Sequence, residues 1–374
     1  MEKAGKIISG AFCWLIAAAV GVLGFYYAAL PRELSAQTGA DVCGEICGAR
    51  IVEYGGGYGF ALREMQIKQV AMKTEQRKML IPGGTPFGIK LRTDGVMVIS
   101  VNSGSPAARA GIRAGDVIST VNGIPISTNA DISKAVQAGP EESTIILTRK
   151  NGELCVKARP EPNGEKLIIG AWVRDSSAGI GTMTFCDPET GYFGGLGHPV
   201  SDVTTGELMP LSSGEITRAE IYGAVKGAGG EAGELCGDIC ADTCGKLTSN
   251  TPVGVFGEIA EIPDCAAVPM AFRQEVHCGP AVIMSTTNGQ KPEEYSIEIE
   301  KINLCALNGT KSMVIRITDQ RLLEQTGGIV RGMSGSPIIQ DGMLAGAVTH
   351  VFLNDPTRGY AVFAESMIEQ MEQQ

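Results

Sequence analysis

The sequence predicts a mainly β protein with two compact domains behind one apolar N-terminal helix. Three observations carry that expectation. Fifty glycines and only 5% aromatic residues in 374 call for many turns and short strands. Residues 7–30 contain no charged side chain. Beyond residue 76, apolar runs of strand length alternate with clusters of Gly, Pro, Asn and Asp, with no repeat of solenoid length. The chain length suits two modest domains, each able to bury a core. A net charge of −10 without any basic run sets nucleic acid aside as a partner, because phosphate binding needs clustered Lys and Arg.

The first element is the apolar stretch. Its 24 residues are enough to cross a bilayer as one helix. The length, with Tyr26 and Tyr27 near its far end, favours a retained anchor over a cleaved signal; cleavage after Leu34-Ser35-Ala36 stays open. Lys3 and Lys6 make residues 1–6 a cytoplasmic tail, so everything beyond about residue 31 faces an extracytoplasmic space. Residues 31–75 read as a polar, Gly-rich connector, with YGGGYG at 54–59 and one strand near 66–72. An exposed, flexible connector is open to proteolytic cleavage, which would release the rest of the chain from the membrane.

Eleven cysteines suit an oxidising space, with Cys13 in the span and ten beyond it. Cys43 and Cys47 are four apart, as are Cys236, Cys240 and Cys244, which aligns thiols on one face if the segment is helical. Disulfides and free structural thiols are the favoured reading. A metal site stands as the alternative, without the usual C-x2-C pairs or a nearby histidine.

Residues 76–160 form the next element, with strands, a short helix, strands, a helix at 129–137 and a closing strand. Pro106 can start a helix, Gly111 and Gly115 permit tight turns, Asp116 can cap backbone, and Val117 and Ile118 enter a strand. Through Ser105-Pro106-Ala107-Ala108, Ala110-Gly111-Ile112, Gly115-Asp116-Val117-Ile118 and Val121-Asn122-Gly123 this segment resembles a PDZ domain, an α+β fold. The resemblance implies that a peptide carboxylate is received near Thr85-Pro86-Phe87-Gly88-Ile89, with Phe87, Gly88 and Ile89 binding a peptide as an added strand against the helix at 129–137.

Residues 161–374 follow a Pro/Gly linker and read as a β-barrel or a pair of barrels, closed by a helix in ESMIEQMEQQ. Of three histidines, His198 is the best-placed base, in a Gly-rich turn just past a strand; His277 sits in a loop and His350 ends an apolar strand. GMSGSP at 332–337 offers two serines. Ser334 is favoured as nucleophile because Gly332 precedes it by two and Gly335 follows, so that the Gly332 and Ser334 amides can face an oxyanion. Ser336 is followed by Pro337, which biases it to extended backbone. A serine needs a base, and the base benefits from an acid. Asp319 and Asp202 are the candidates; Asp202, four residues from His198, fits better as a cap of the following turn.

Taken together, Leu80-Ile81-Pro82-Gly83-Gly84, Gly197-His198-Pro199 with Ser201-Asp202, ITDQRLLEQTGGIVRGMSGSPIIQ and GAVTHVFLNDPTRGY resemble the peptidase family of stage IV sporulation protein B. That family joins a membrane anchor, a PDZ domain and a trypsin-like serine protease domain. The resemblance implies a catalytic His198, Asp319 and Ser334, no metal or organic cofactor, and a protein substrate that regulates sporulation at the forespore membrane. A PDZ adaptor with an inactive protease domain is the second reading. A PDZ domain that restrains its own protease until a peptide binds is the third.

Overall fold

The computed structural model describes residues 2–38, 45–46, 49–150, 152–227, 230–304 and 309–373. It begins with the helix Glu2–Ala29, along which Trp14, Ile16, Val20 and Phe25 are exposed. Among the described residues, no helix is long and apolar enough to cross a membrane. Side chains 7–13, 15 and 29 of the expected span lie outside the described ones.

The described residues between 31 and 75 are folded, not a spacer. Glu33–Gln37, Met65–Glu75, Gly57–Leu62, Ala49–Tyr54 and Glu45–Ile46 make a five-stranded sheet, with the first two strands parallel. Leu34, Ile51, Phe60 and Val70 pack with Leu30 into its core. The glycines that suggest flexibility make a tight turn instead. Gly55 and Gly56 both have positive φ, at 59° and 83°, which suits a two-residue hairpin joining Tyr54 to Gly57. Lys68 donates to the Tyr27 and Leu30 carbonyls, satisfying the C-terminal end of the helix from within the sheet. Most of the stretch expected to be an open, cleavable connector is therefore paired backbone.

Two closed barrels form the body. Pro86–Val101, Leu211–Val225, Glu234–Thr251, Gly254–Ile259, Tyr192–Gly195 and Ala171–Cys186 pair in that order, and the last returns to the first. The second barrel runs Gly279–Ser285, Glu293–Ile302, Met313–Ile317, Asp355–Phe363, Met343–Phe352 and Pro337–Gln340. Its interior is aliphatic, with Ile283, Ile297, Ile299, Ile315, Ile338 and Val348 buried around Tyr295. The closing helix expected at the C-terminus is Ala364–Glu372. It buries Met367 and Ile368 against Phe185 and Phe256 of the first barrel and Leu344 of the second. Arg273 fastens it through Glu365 and Glu369.

The PDZ unit packs Val98, Ile112, Ile118, Val121, Ile132, Val136, Ile145 and Leu147. Its helix Asn129–Gln137 starts on a capping box between Thr128 and Asp131. Asp116 accepts the Arg113 amide and pairs with Arg149. The unit does not begin at residue 76. Pro86–Val101 is shared: residues 86–93 are a barrel stave, and residues 96–101 belong to the PDZ sheet. Ala171–Cys186 is shared in the same way, pairing first with residues 97–101 and then with 86–92.

That sharing overturns the expected peptide site. Phe87, Gly88 and Ile89 lie opposite Gly181, Ile180 and Gly179 on one side, and opposite Arg218, Thr217 and Ile216 on the other. With both backbone edges paired and Phe87 and Ile89 buried, no strand can be added there.

Candidate active site

The GMSGSP turn is built by glycines and by the strand beneath it. Gly332 and Gly335 have φ of 95° and 96°, in the left-handed half of conformational space. A Cβ on Gly335 would stand 1.9 Å from the Thr182 carbonyl oxygen, so only glycine fits. Met333, fully buried in the second barrel's core, anchors the turn from below; burial of such a side chain stabilises by roughly 1.5–3 kcal/mol.

Ala171–Cys186 orients the carbonyls of the turn. The Thr182 hydroxyl donates to Gly332 O at 2.7 Å, the Thr182 amide to Ser334 O at 3.0 Å, and the Thr184 hydroxyl to Gly335 O at 2.8 Å. With the carbonyls drawn toward that strand, the Gly332 and Ser334 amides meet no acceptor among the described residues. Two free amides flanking a serine hydroxyl are the donor pair an oxyanion requires. Neither Thr182 nor Thr184 stands out in the sequence, because the contact that gives them a role spans about 150 residues.

The two serines of the motif differ plainly. Ser336 is fully buried and its hydroxyl bonds to Ser285 at 3.1 Å, a core contact. Ser334 is half-buried at a cavity of about 260 Å³ that His198 also lines. Its hydroxyl donates to the Thr349 carbonyl at 2.8 Å and makes no hydrogen bond to the His198 ring.

His198 is delivered by a strained turn. Leu196 and Gly197 both have positive φ, at 66° and 67°, and Leu196 bears a strain of about 1 kcal/mol or more. The His198 Nδ1 lies 2.8 Å from the Pro199 carbonyl. A carbonyl only accepts, so Nδ1 carries the hydrogen and Nε2 keeps a lone pair for a proton. Burial pushes the His198 pKa down, against a smaller upward effect of the Pro199 carbonyl. No carboxylate contributes to that balance. The His350 ring lies beside that of His198, tilted by 39° with 4.9 Å between centroids. Burial first, then His198 and Lys311, bring its pKa down to about 4.

Asp319 is not brought to His198. It caps the helix Gln320–Thr326 by accepting the Arg321 amide at 2.9 Å, takes the Ser296 amide at 3.3 Å, and pairs with the Arg321 guanidinium at 2.9 Å. The Arg321 side chain is the main cause that holds its pKa down to about 2. The Pro199 carbonyl, not this carboxylate, fixes the tautomer of His198. Asp202 caps its own turn by accepting the Thr204 and Thr205 amides, each at 2.9 Å. His277 is an exposed partner of Asp341, 2.8 Å away.

The cysteine cluster departs from its helical reading. Cys236, Cys240 and Cys244 lie on the strand Glu234–Thr251, where four residues span about 13 Å, and all three are free. Cys155, Cys186, Cys265 and Cys278 are free as well. Cys13, Cys43, Cys47 and Cys305 lie outside the described side chains. Among the described residues, no group of three His, Cys, Asp or Glu could hold a metal.

Comparison with known proteins adds a family to this geometry. Residues 165–368 match the family model described as SpoIVB peptidase S55, and residues 97–150 match that of the PDZ domain. Two similar curated proteins are HhoB and HhoA of Synechocystis sp., both provisionally named serine proteases. HhoB is 34% identical over 104 residues, covering 27% of this chain and 25% of its own. HhoA is 42% identical over 89 residues, covering 24% and 22%. The chain thus spans a quarter or less of the length of these relatives. A solved PDZ domain of an SdrC-like protein from Listeria monocytogenes is 20% identical, with a TM-score of 0.20, covering 21% of this chain and 87% of that one.

Proposed function

This chain belongs to the SpoIVB peptidase S55 family, and from that premise we propose that it is a serine endopeptidase whose nucleophile is Ser334 and whose base is His198. The observation that carries this reading is one cavity lined by His198, Gly332 and Ser334, with the Gly332 and Ser334 amides unpartnered among the described residues. His198 Nε2 takes the Ser334 proton as Oγ attacks a peptide carbonyl. The Gly332 and Ser334 amides receive the oxyanion, and one such donor is worth roughly 10²–10³ in rate. The imidazolium then protonates the leaving amine, and water releases the acyl group by the reverse sequence. Ile89, Ile180, Leu196 and Val200 give the cavity an apolar lining that fits a mid-sized apolar side chain next to the scissile bond.

The setting proposed for this chemistry is a membrane surface outside the cytoplasm. Support comes from the uncharged stretch at 7–30, from Lys3 and Lys6 before it, and from the exposed apolar side chains along Glu2–Ala29. The resemblance to stage IV sporulation protein B makes a regulatory protein of a spore former the substrate class, with the chain itself as a second substrate. The PDZ unit would bring the substrate or a regulatory peptide to the enzyme.

Incubating the full chain with an unstructured protein substrate tests this proposal. Wild type is expected to cleave it and Ser334→Ala and His198→Ala to be inactive, while Ser336→Ala keeps activity. Equal cleavage by wild type and Ser334→Ala would defeat the proposal. An inert, well-folded wild type would favour the PDZ adaptor reading. Identical N-termini of wild type and Ser334→Ala after expression would dismiss self-processing.

A further inference from the structure

The loop that carries His198 is held at two points, and only one of them faces the strand that builds the cleft. On one side, Asn250 accepts the Val200 amide and donates to the Val200 and Met209 carbonyls, each at 2.8 Å. On the other, the Asp202 carboxylate is fully buried. It accepts the Thr204 and Thr205 amides at 2.9 Å and the Thr205 hydroxyl at 3.2 Å, and its remaining oxygen takes the Arg174 guanidinium. Arg174 lies on Ala171–Cys186, in the stretch paired with the PDZ residues 97–101. Further along the same strand, residues 177–180 line the cavity, and Thr182 and Thr184 hold the nucleophile turn.

We propose that Arg174 and Asp202 are positioning residues for His198, fastening the loop of the base to the strand that also fixes Ser334. The inference rests on His198 acting as the base. One backbone then sets the separation of base and nucleophile. Asp202 is fully buried and Arg174 partly exposed, and such a pair adds little net stability once desolvation is counted, which leaves room for a geometric role. The Arg fork holds a carboxylate in a fixed orientation, whereas a Lys ammonium fixes only a distance. Because Arg174 sits among PDZ-paired residues, the PDZ unit abuts the same fastening.

The test uses the full chain as Arg174→Gln, Arg174→Lys, Asp202→Asn and the Arg174→Gln/Asp202→Asn double variant, with His198→Ala as reference. Thermal midpoint, kcat, KM and the pH profile are read for each. The expected result for Arg174→Gln is a kcat lower by about 10- to 100-fold at unchanged KM, since misplacing a reacting group by about 1 Å costs that much. The acid limb should move up toward the ordinary histidine value as the loop loosens and His198 is wetted. Arg174→Lys should fall between wild type and Arg174→Gln, and the double variant should be no worse than the poorer single. A folded Arg174→Gln with wild-type kcat, or losses that multiply in the double variant, overturns the proposal. If Arg174→Gln and Asp202→Asn do not fold, Arg174→Lys decides. A lower kcat at an unchanged thermal midpoint supports positioning; an unchanged kcat, or failure to fold, assigns the pair to stability. An active His198→Ala would instead sink the site reading, whereas an inactive His198→Ala beside a fully active Arg174→Gln sinks this inference alone.

Discussion

Asp319 and His198 behave oppositely to a conventional acid–base pair, and each gives a measurable consequence. Asp319 caps a helix, so Asp319→Asn should cost about 1 kcal/mol of stability in a denaturant melt and change kcat only a few-fold. A triad acid would instead lose about 10⁴ in kcat on the same change. Since the Asp319 pKa is held down to about 2, the capping contribution is full above the ordinary carboxylate range and disappears as pH falls through 2. For His198 the sign is set by burial. Its neutral form persists to lower pH than an exposed histidine's, so the acid limb of kcat/KM should lie below the ordinary value of 6.5. Gly335 gives a third expectation. Gly335→Ala forces a Cβ to within 1.9 Å of the Thr182 oxygen and should abolish activity at the least, with loss of the folded second barrel readable by circular dichroism.

At the scale of elements, the strand Ala171–Cys186 does most to join the parts. It pairs with the PDZ residues 97–101, closes the first barrel against 86–92, lines the cavity and holds the Gly332, Ser334 and Gly335 carbonyls. Residue chemistry along GIGTMTFC indicates a strand, but the partners that give it meaning lie far off in sequence. The same limit explains the misplaced peptide site: FGIKL has the composition of a strand, and composition does not say that both its edges are taken. GMSGSP was legible because its requirements are local, namely two left-handed glycines, a buried Met and a serine between them. So was the capped helix Asn129–Gln137, whose Thr128 and Asp131 stand three apart. YGGGYG shows the reverse case, in which glycines required by a hairpin have the composition of a linker.

The whole molecule is less modular than its sequence suggests. A PDZ unit at 76–160 would be removable, yet excising those residues takes Pro86–Val101 out of the first barrel. Such a deletion should leave an unfolded or inactive protein, whereas a short linker replacing only 103–168 keeps both shared strands and should retain the folded barrels. Limited proteolysis distinguishes the two, and a stable barrel core in the larger deletion would contradict the shared-strand topology. The central claim, that Ser334 is a nucleophile activated by His198, is tested most directly by labelling the full chain with a fluorophosphonate and locating the adduct by mass spectrometry. One adduct is expected, on Ser334, lost in Ser334→Ala and strongly slowed in His198→Ala. An adduct on another residue, or labelling of Ser334 at an equal rate in His198→Ala, would contradict it.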